Sequence, residues 1–132
     1  MSHFTKVKTK MRDLVALKKA LDDLGYTYTE SESGEAFVKG YQGDSTTAAL
    51  SIHASRTYDI GVQIGENEVE LVADWWGVET TRGVTEEEFV KSLKQRYTYH
   101  KVMSELEGRG YTVVSEKVDG EEHIRIRVRS WE

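Results

Sequence analysis

The stretch Asp13-Leu14-Val15-Ala16-Leu17-Lys18-Lys19-Ala20-Leu21-Asp22-Asp23-Leu24-Gly25-Tyr26-Thr27-Tyr28-Thr29 changes its apolar period halfway along. Leu14, Leu17, Ala20, Leu21 and Leu24 recur at helical spacing, while Lys18, Lys19, Asp22 and Asp23 lie off that stripe. Asp13 stands where an N-cap belongs, and Gly25 supplies the stop. Beyond Gly25 the period drops to two, and Tyr26-Thr27-Tyr28-Thr29 reads as a strand. A helix that ends in glycine and passes directly into a strand is an α+β signature.

Working outward, residues 3–9 alternate as a short strand before this helix. After it, Ser33-Gly34 reads as a turn and residues 35–41 as the return strand of a hairpin. Residues 46–54 place Ala48, Leu50 and Ile52 on one face, and residues 58–65 do the same with Tyr58, Ile60, Val62 and Ile64. A turn at Gly65-Glu66-Asn67 leads to Val69, Leu71, Ala73 and Trp75, which completes an antiparallel meander. Thr85 with Glu88 forms a capping box for a second helix that runs to Gly108 or Gly110. Its apolar residues fall in two stripes, Phe89, Val90, Leu93 and Tyr97, then Tyr99, Val102, Met103 and Leu106. This predicts a bend near Thr98 or wider burial of the second half.

Tyr111-Thr112-Val113-Val114, an Asp119-Gly120 turn and His123-Ile124-Arg125-Ile126-Arg127-Val128-Arg129 close the chain as a hairpin. Pairing across that turn sets Val113 against Ile126, Tyr111 against Val128, Val114 against Arg125 and Thr112 against Arg127. Leu21-(x3)-Gly25-Tyr26-Thr27 is echoed by Leu106-(x3)-Gly110-Tyr111-Thr112, so the chain reads as two β-α-β-β units with two extra strands between them. Glycine after a helix is common, and chance similarity accounts for the echo equally well. Either way the prediction is α+β, a mostly antiparallel sheet with two helices packed on one face, formed as a single domain over residues 1–132.

Composition sets limits on the chemistry. The 132 residues include no cysteine, which removes disulfides, thiolate zinc sites, iron–sulfur centres and a Cys nucleophile. They include no proline, where average usage of about 5% would give six or seven, so an interdomain tether is not expected. The longest unbroken apolar run, Leu14-Val15-Ala16-Leu17, is far short of a membrane span, and the opening residues show no signal-peptide pattern. A soluble cytoplasmic protein is the expectation. The net charge of −5 conceals a segregation. Residues 1–24 carry six basic against three acidic side chains, residues 25–90 three against thirteen, and residues 91–132 nine against seven. An acidic middle with basic ends suits docking to a charged protein partner, and a net acidic chain does not favour nucleic acid.

Three groups stand out as candidate sites. Arg125, Arg127 and Arg129 form a row on one face of the last strand, suited to a carboxylate-rich or phosphate-bearing partner or simply to a solvated edge. Asp74-Trp75-Trp76-Gly77 places Trp75 toward the core and Trp76 away from it, where an exposed tryptophan beside Asp74 would anchor a partner, or the pair simply closes the end of the core. Arg96 and His100 sit one helical turn apart near Tyr97. They read as a structural pair matched by a carboxylate such as one of the nearby Glu or Asp74, or as an alternative ligand or proton-transfer site. His3, His53, His100 and His123 show no ligand spacing, and no phosphate loop or nucleophile elbow is present. No catalytic residue, metal or cofactor is expected. A homodimer through an exposed edge or face is the remaining interaction.

The opening Met1-Ser2-His3-Phe4, the Leu-Gly-Tyr helix end, Asp74-Trp75-Trp76-Gly77 and Gln95-Arg96-Tyr97-(x2)-His100-Lys101-Val102 together resemble an uncharacterised family. It is the domain-of-unknown-function family of cyanobacteria and red-algal plastids known as a hypothetical chloroplast open reading frame. The resemblance implies a stromal or cytoplasmic protein of a photosynthetic lineage or a bacterial relative. It implies no reaction.

Overall fold

Asp13 caps the first helix as its position requires. Its carboxylate accepts hydrogen bonds from the Val15 and Ala16 amides at 2.9 and 3.2 Å. In the computed structural model, which describes residues 3–118 and 124–130, this helix (α1) spans Leu14–Asp23. It ends in a Schellman closure, with the Tyr26 amide donating to Leu21 and the Gly25 amide to Asp22. Gly25 adopts φ +81°, which a side chain would resist.

The strands are β1 (Thr5–Lys8), β2 (Tyr28–Glu30), β3 (Ala36–Lys39), β4 (Ser45–Ala48), β5 (Leu50–His53), β6 (Asp59–Ile64) and β7 (Val69–Ala73). Five of them form one antiparallel sheet in the order β1-β7-β6-β5-β2. Leu50, Ile52, Ile60, Val62, Val69, Leu71 and Ala73 line one face and pack with Leu17 and Leu21 of α1. A helix α3, Glu86–Gly108, adds Phe89 and Leu93 to this core. Its Thr85–Glu88 capping box forms as the sequence predicts. Antiparallel sheet and helices together give the α+β class that the periodicities predict.

The other face of the sheet is covered too. Strands β3 and β4 form a separate ribbon, closed by the Gly40 amide donating to the Asp44 carbonyl at 2.8 Å. Ala36, Val38 and Ala48 of this ribbon are buried. They settle over Gly61 of β6, where a Cβ would meet Val38 Cγ2 at 2.8 Å and Ala48 Cβ at 3.1 Å. Asp59, buried beside it, pins the two layers. One oxygen accepts the Lys39 amide at 2.9 Å and the other pairs with His53 Nδ1 at 3.2 Å.

Several sequence expectations are corrected. β2 and β3 do not form a hairpin, because β2 pairs with β5 and β3 with β4. The two β-α-β-β units are therefore not equivalent, since only the second pairs its own two strands. Burial of the Ala36/Val38 face over Gly61 decides the first case. Residues 46–54 split at Ala49, which lets β4 leave the sheet while β5 remains. Among the described residues, the two expected helices are three. Trp75–Arg82 is a helix, α2, capped by Asp74, and not a strand end followed by a loop. The second half of α3 is not buried more widely, for Phe89 and Leu93, both in its first half, are the buried residues of α3. The final hairpin, β8 (Tyr111–Val118) with β9 (Ile124–Ser130), stands as its own two-stranded sheet beside α3, outside the main sheet.

Gly77 of α2 packs against Tyr58 so closely that an added Cβ would lie 1.9 Å from the ring, whereas a Cβ on Gly108 meets nothing. Gly77→Ala should destabilise by about 1–3 kcal/mol or more. Gly108→Ala should be neutral or stabilising by up to about 1 kcal/mol. Urea denaturation of the two variants checks this pair.

Candidate functional site

The α3–hairpin arm carries most of the sequence-predicted residues. Strict alternation in β9 sends Ile124 and Ile126 toward α3, where they share a groove with Tyr99 and Val102. It sends Arg125, Arg127 and Arg129 to the opposite face, where all three are exposed. The pairing is shifted from that expected. Val113 opposes Val128, Thr112 opposes Arg129, Ser115 opposes Arg127 and Lys117 opposes Arg125. An irregularity between Val113 and Ser115 accounts for part of the shift, because it changes the pairing sum by one residue. The expected Asp119-Gly120 turn and His123 lie outside the described residues. The arginine row thus gains Lys117 as a fourth cation on its face, a neighbour that the sequence register did not supply.

Trp75 and Trp76 separate as predicted, but by the 100° step of a helix. Trp75 is half-buried against Phe89, with ring centroids 6.0 Å apart. Trp76 is 57% exposed and meets Tyr41 edge-on at 6.2 Å. Asp74 does not join it at the surface. It is buried, and one carboxylate oxygen accepts the Gly77 amide at 3.2 Å.

Arg96 and His100 are brought together by Asp23, not Asp74. Asp23 Oδ2 receives Arg96 Nε at 2.9 Å, Arg96 Nη2 at 2.8 Å and His100 Nε2 at 2.5 Å. Burial works to raise the Asp23 carboxyl, but the hydrogen bonds from His100 and Arg96 outweigh it and hold the group below its usual value. Tyr97 is elsewhere: its hydroxyl accepts the Arg12 and Asp13 amides at 3.1 and 3.0 Å, at the start of α1. The four residues Arg96, Tyr97, His100 and Asp74 are therefore not gathered in one place. Arg96 and His100 hold the end of α1, Tyr97 holds its start, and Asp74 caps α2.

Sequence reasoning missed two further arrangements. Tyr99 lies under the Arg96 guanidinium at 4.3 Å and donates its hydroxyl to Glu116 of β8. That hydrogen bond, with burial and the Glu116 charge, pushes the phenol up to about 12. On the ribbon side, Thr29 Oγ1 lies 2.9 Å from His53 Nε2, whose Nδ1 faces Asp59. This Thr–His–Asp chain joins three adjacent strands. The odd positions of β2, β5 and β6 share a face, and only the strand order puts these three side by side.

Fold and surface together define a small layered α+β protein with a helix–hairpin arm. The chain belongs to the family described as "Protein of unknown function (DUF1257)", whose model matches residues 20–127. It is 34% identical to "Uncharacterized protein ycf35" of Guillardia theta, an alignment covering 99% of this chain and 98% of that one. It is 32% identical to "Uncharacterized protein ycf35" of Cyanophora paradoxa, with the same coverage. No solved structure matches it. These relatives bear out the resemblance carried by the Asp74-Trp75-Trp76-Gly77 and Gln95-to-Val102 motifs. Among the described residues, no helix is long and apolar enough to cross a membrane.

Two measurements test this geometry. In an ultraviolet tyrosine titration, Tyr99 should ionise near pH 12, and Glu116→Gln should bring it down toward the ordinary value near 10. Asp23→Asn should weaken the protein at neutral pH by on the order of 1 kcal/mol. Because the folded Asp23 carboxyl is depressed, its contribution is present above the ordinary value of 3.8 and lost as pH falls below it. The two proteins should therefore converge in stability on acidification below about pH 4, as followed by thermal unfolding across pH.

Proposed function

We propose that this protein is a non-catalytic binding or accessory module, acting as one domain, that engages an acidic protein partner through the hairpin face bearing Arg125, Arg127 and Arg129. The observation that carries this reading is the exposed row itself, joined by Lys117 in register opposite Arg125. A two-stranded hairpin is also marginal by itself in water, so docking completes it. Guanidinium groups spaced along one strand face suit carboxylates on a facing segment. Trp76, edge-on to Tyr41, is a second anchor on a separate element. The acidic middle of the chain disfavours nucleic acid as the partner. Cytoplasm, or plastid stroma in an alga, is the matching compartment.

The second reading is a small-ligand protein or enzyme built on Arg96 and His100. A ligand carboxylate would there displace Asp23 from the two cations. Affinity capture from the native host, comparing wild type with the charge-reversed triple variant R125E/R127E/R129E, separates the readings. A partner with an acidic contact segment, recovered at stoichiometric level by wild type and lost at least tenfold by the variant, supports the module. Recovery of the protein alone with a bound small molecule supports the second reading. A dimer of wild type in light scattering, absent in the variant, would make the partner a second copy.

A further inference from the structure

The acidic middle of the chain, residues 25–90, carries three basic side chains against thirteen acidic ones, and the fold gathers all three around one loop. That loop, residues 54–58, joins β5 to β6. Arg56 stands on it, Lys39 reaches it from β3, and Arg82 meets it from the end of α2. Among the described residues none of the three is paired with a carboxylate. Lys39 Nζ donates to the Arg56 carbonyl at 2.9 Å, and the Arg82 guanidinium lies over the Tyr26 ring at 4.6 Å. The Arg56 guanidinium has no partner among them. Arg56 and Arg82 line a shallow cup of about 660 Å³, to which Ser55, Thr57 and Thr81 add hydroxyls. No carboxylate lines it. Glu79, three residues before Arg82, is not part of its wall, and Asp44 lies on the neighbouring depression that shares Arg56 and Thr57.

The cup is braced. Thr81 Oγ1 lies 2.8 Å from Ser55 Oγ and 2.7 Å from the Gly77 carbonyl oxygen, which fastens the loop to α2. The Tyr58 amide donates to Ser55 Oγ at 3.1 Å, and the Ser55 amide to the Tyr58 carbonyl at 3.0 Å. This closure leaves the Arg56 and Thr57 amides without a protein acceptor among the described residues. A guanidinium lying on an aromatic ring keeps its in-plane N–H groups for another acceptor.

We infer that this cup binds a phosphate group, held by Arg56 and Arg82 on separate oxygens, with Thr57 and the loop amides as further donors. The donors come from two elements, and a tetrahedral dianion offers oxygens in several directions. A carboxylate has two coplanar oxygens, which a single guanidinium satisfies. The C-terminal end of α2 carries a partial negative charge that opposes an anion, but two full cations outweigh it. The cup adjoins the depression lined by Tyr41 and Tyr58 across Arg56 and Thr57, so an organic phosphate monoester has room there as well as inorganic phosphate. The site lies on other elements than the hairpin and goes beyond the docking role of the arginine row.

The test titrates the full-length chain, with isotope-labelled amides, with inorganic phosphate at mildly alkaline pH and constant ionic strength. Saturable shifts at the Arg56 and Thr57 amides, weakened at least tenfold by Arg56→Ala and by Arg82→Ala, support the inference. Arg56 is exposed and packs on nothing, so its variant remains informative if loss of Arg82 from the Tyr26 ring disturbs folding. Acetate should bind at least tenfold more weakly than phosphate. Phenyl phosphate separates the two sources. Tighter binding than phosphate, with added shifts at Tyr41 and Tyr58, supports an organic monoester, and equal binding supports inorganic phosphate. The inference is overturned by lack of saturation at tens of millimolar phosphate, by equal binding of acetate, or by unchanged binding in Arg56→Ala. It is equally overturned if R125E/R127E/R129E loses phosphate binding, which would place the anion on the hairpin. Arg56→Ala should leave capture of a host partner intact, so the two readings fail separately.

Discussion

Both ends of α1 are tied to the same turn and a half of α3, and the placement of every functional candidate follows from that. Tyr97 holds the entry to α1 through two amides, and Lys101 reaches Asp13 at 3.2 Å. Asp23, at the exit, binds Arg96 and His100. Residues ten apart on α1 thus meet residues 96–101 on α3, so α1 lies across α3 and not along it. With Leu17, Leu21, Phe89 and Leu93 all buried in the same core, the direction of α3 is set. Its second half then extends past the sheet and carries β8 and β9 away from the core.

The polar groups at this crossing are half-exposed and hydrogen-bonded, so they add direction more than bulk stability. The apolar core supplies the larger stabilisation. Truncating a side chain such as Phe89 to Ala would cost on the order of 3–5 kcal/mol. Arg96 acts in two ways at once, as an ion-pair donor to Asp23 and as a cation over the Tyr99 ring. Tyr99 passes the connection to Glu116 of β8. A continuous chain of contacts therefore runs from α1 through α3 into the hairpin. Arg96 and His100 are both paired in this setting, with a carboxylate that the sequence did not identify.

The sheet solves a second problem, that of covering two faces with a short chain. The helices take the face of Leu50, Ile60 and Leu71. The ribbon takes the face on which Ser51 and Gly61 leave room. Gly61 is what admits the ribbon, since any side chain there would collide with Val38 and Val72. Asp59 then converts an apolar contact into a specific one by accepting the Lys39 amide. Leaving that amide and His53 without their carboxylate would cost on the order of 1–3 kcal/mol.

Local signals in the sequence were dependable wherever one short segment carries all the information. The Asp13 cap, the Gly25 stop, the Thr85–Glu88 box, the alternation of Ile124 through Arg129 and the outward Trp76 are all of that kind, because each rests on backbone geometry within a few residues. The α+β class follows from them. What needed the tertiary structure was every choice among partners. Asp23 and Asp74 are equally good carboxylates on paper for Arg96, and only the crossing of α1 over α3 selects Asp23. Likewise β2 and β3 are adjacent in sequence, yet they part because burial of Ala36 and Val38 over Gly61 outweighs the short loop between them. The arginine row was legible as a pattern, while its neighbour Lys117 and the groove behind it depend on a shifted register and on how far α3 extends. Periodicity specifies which face a residue occupies, and long-range packing specifies what that face meets.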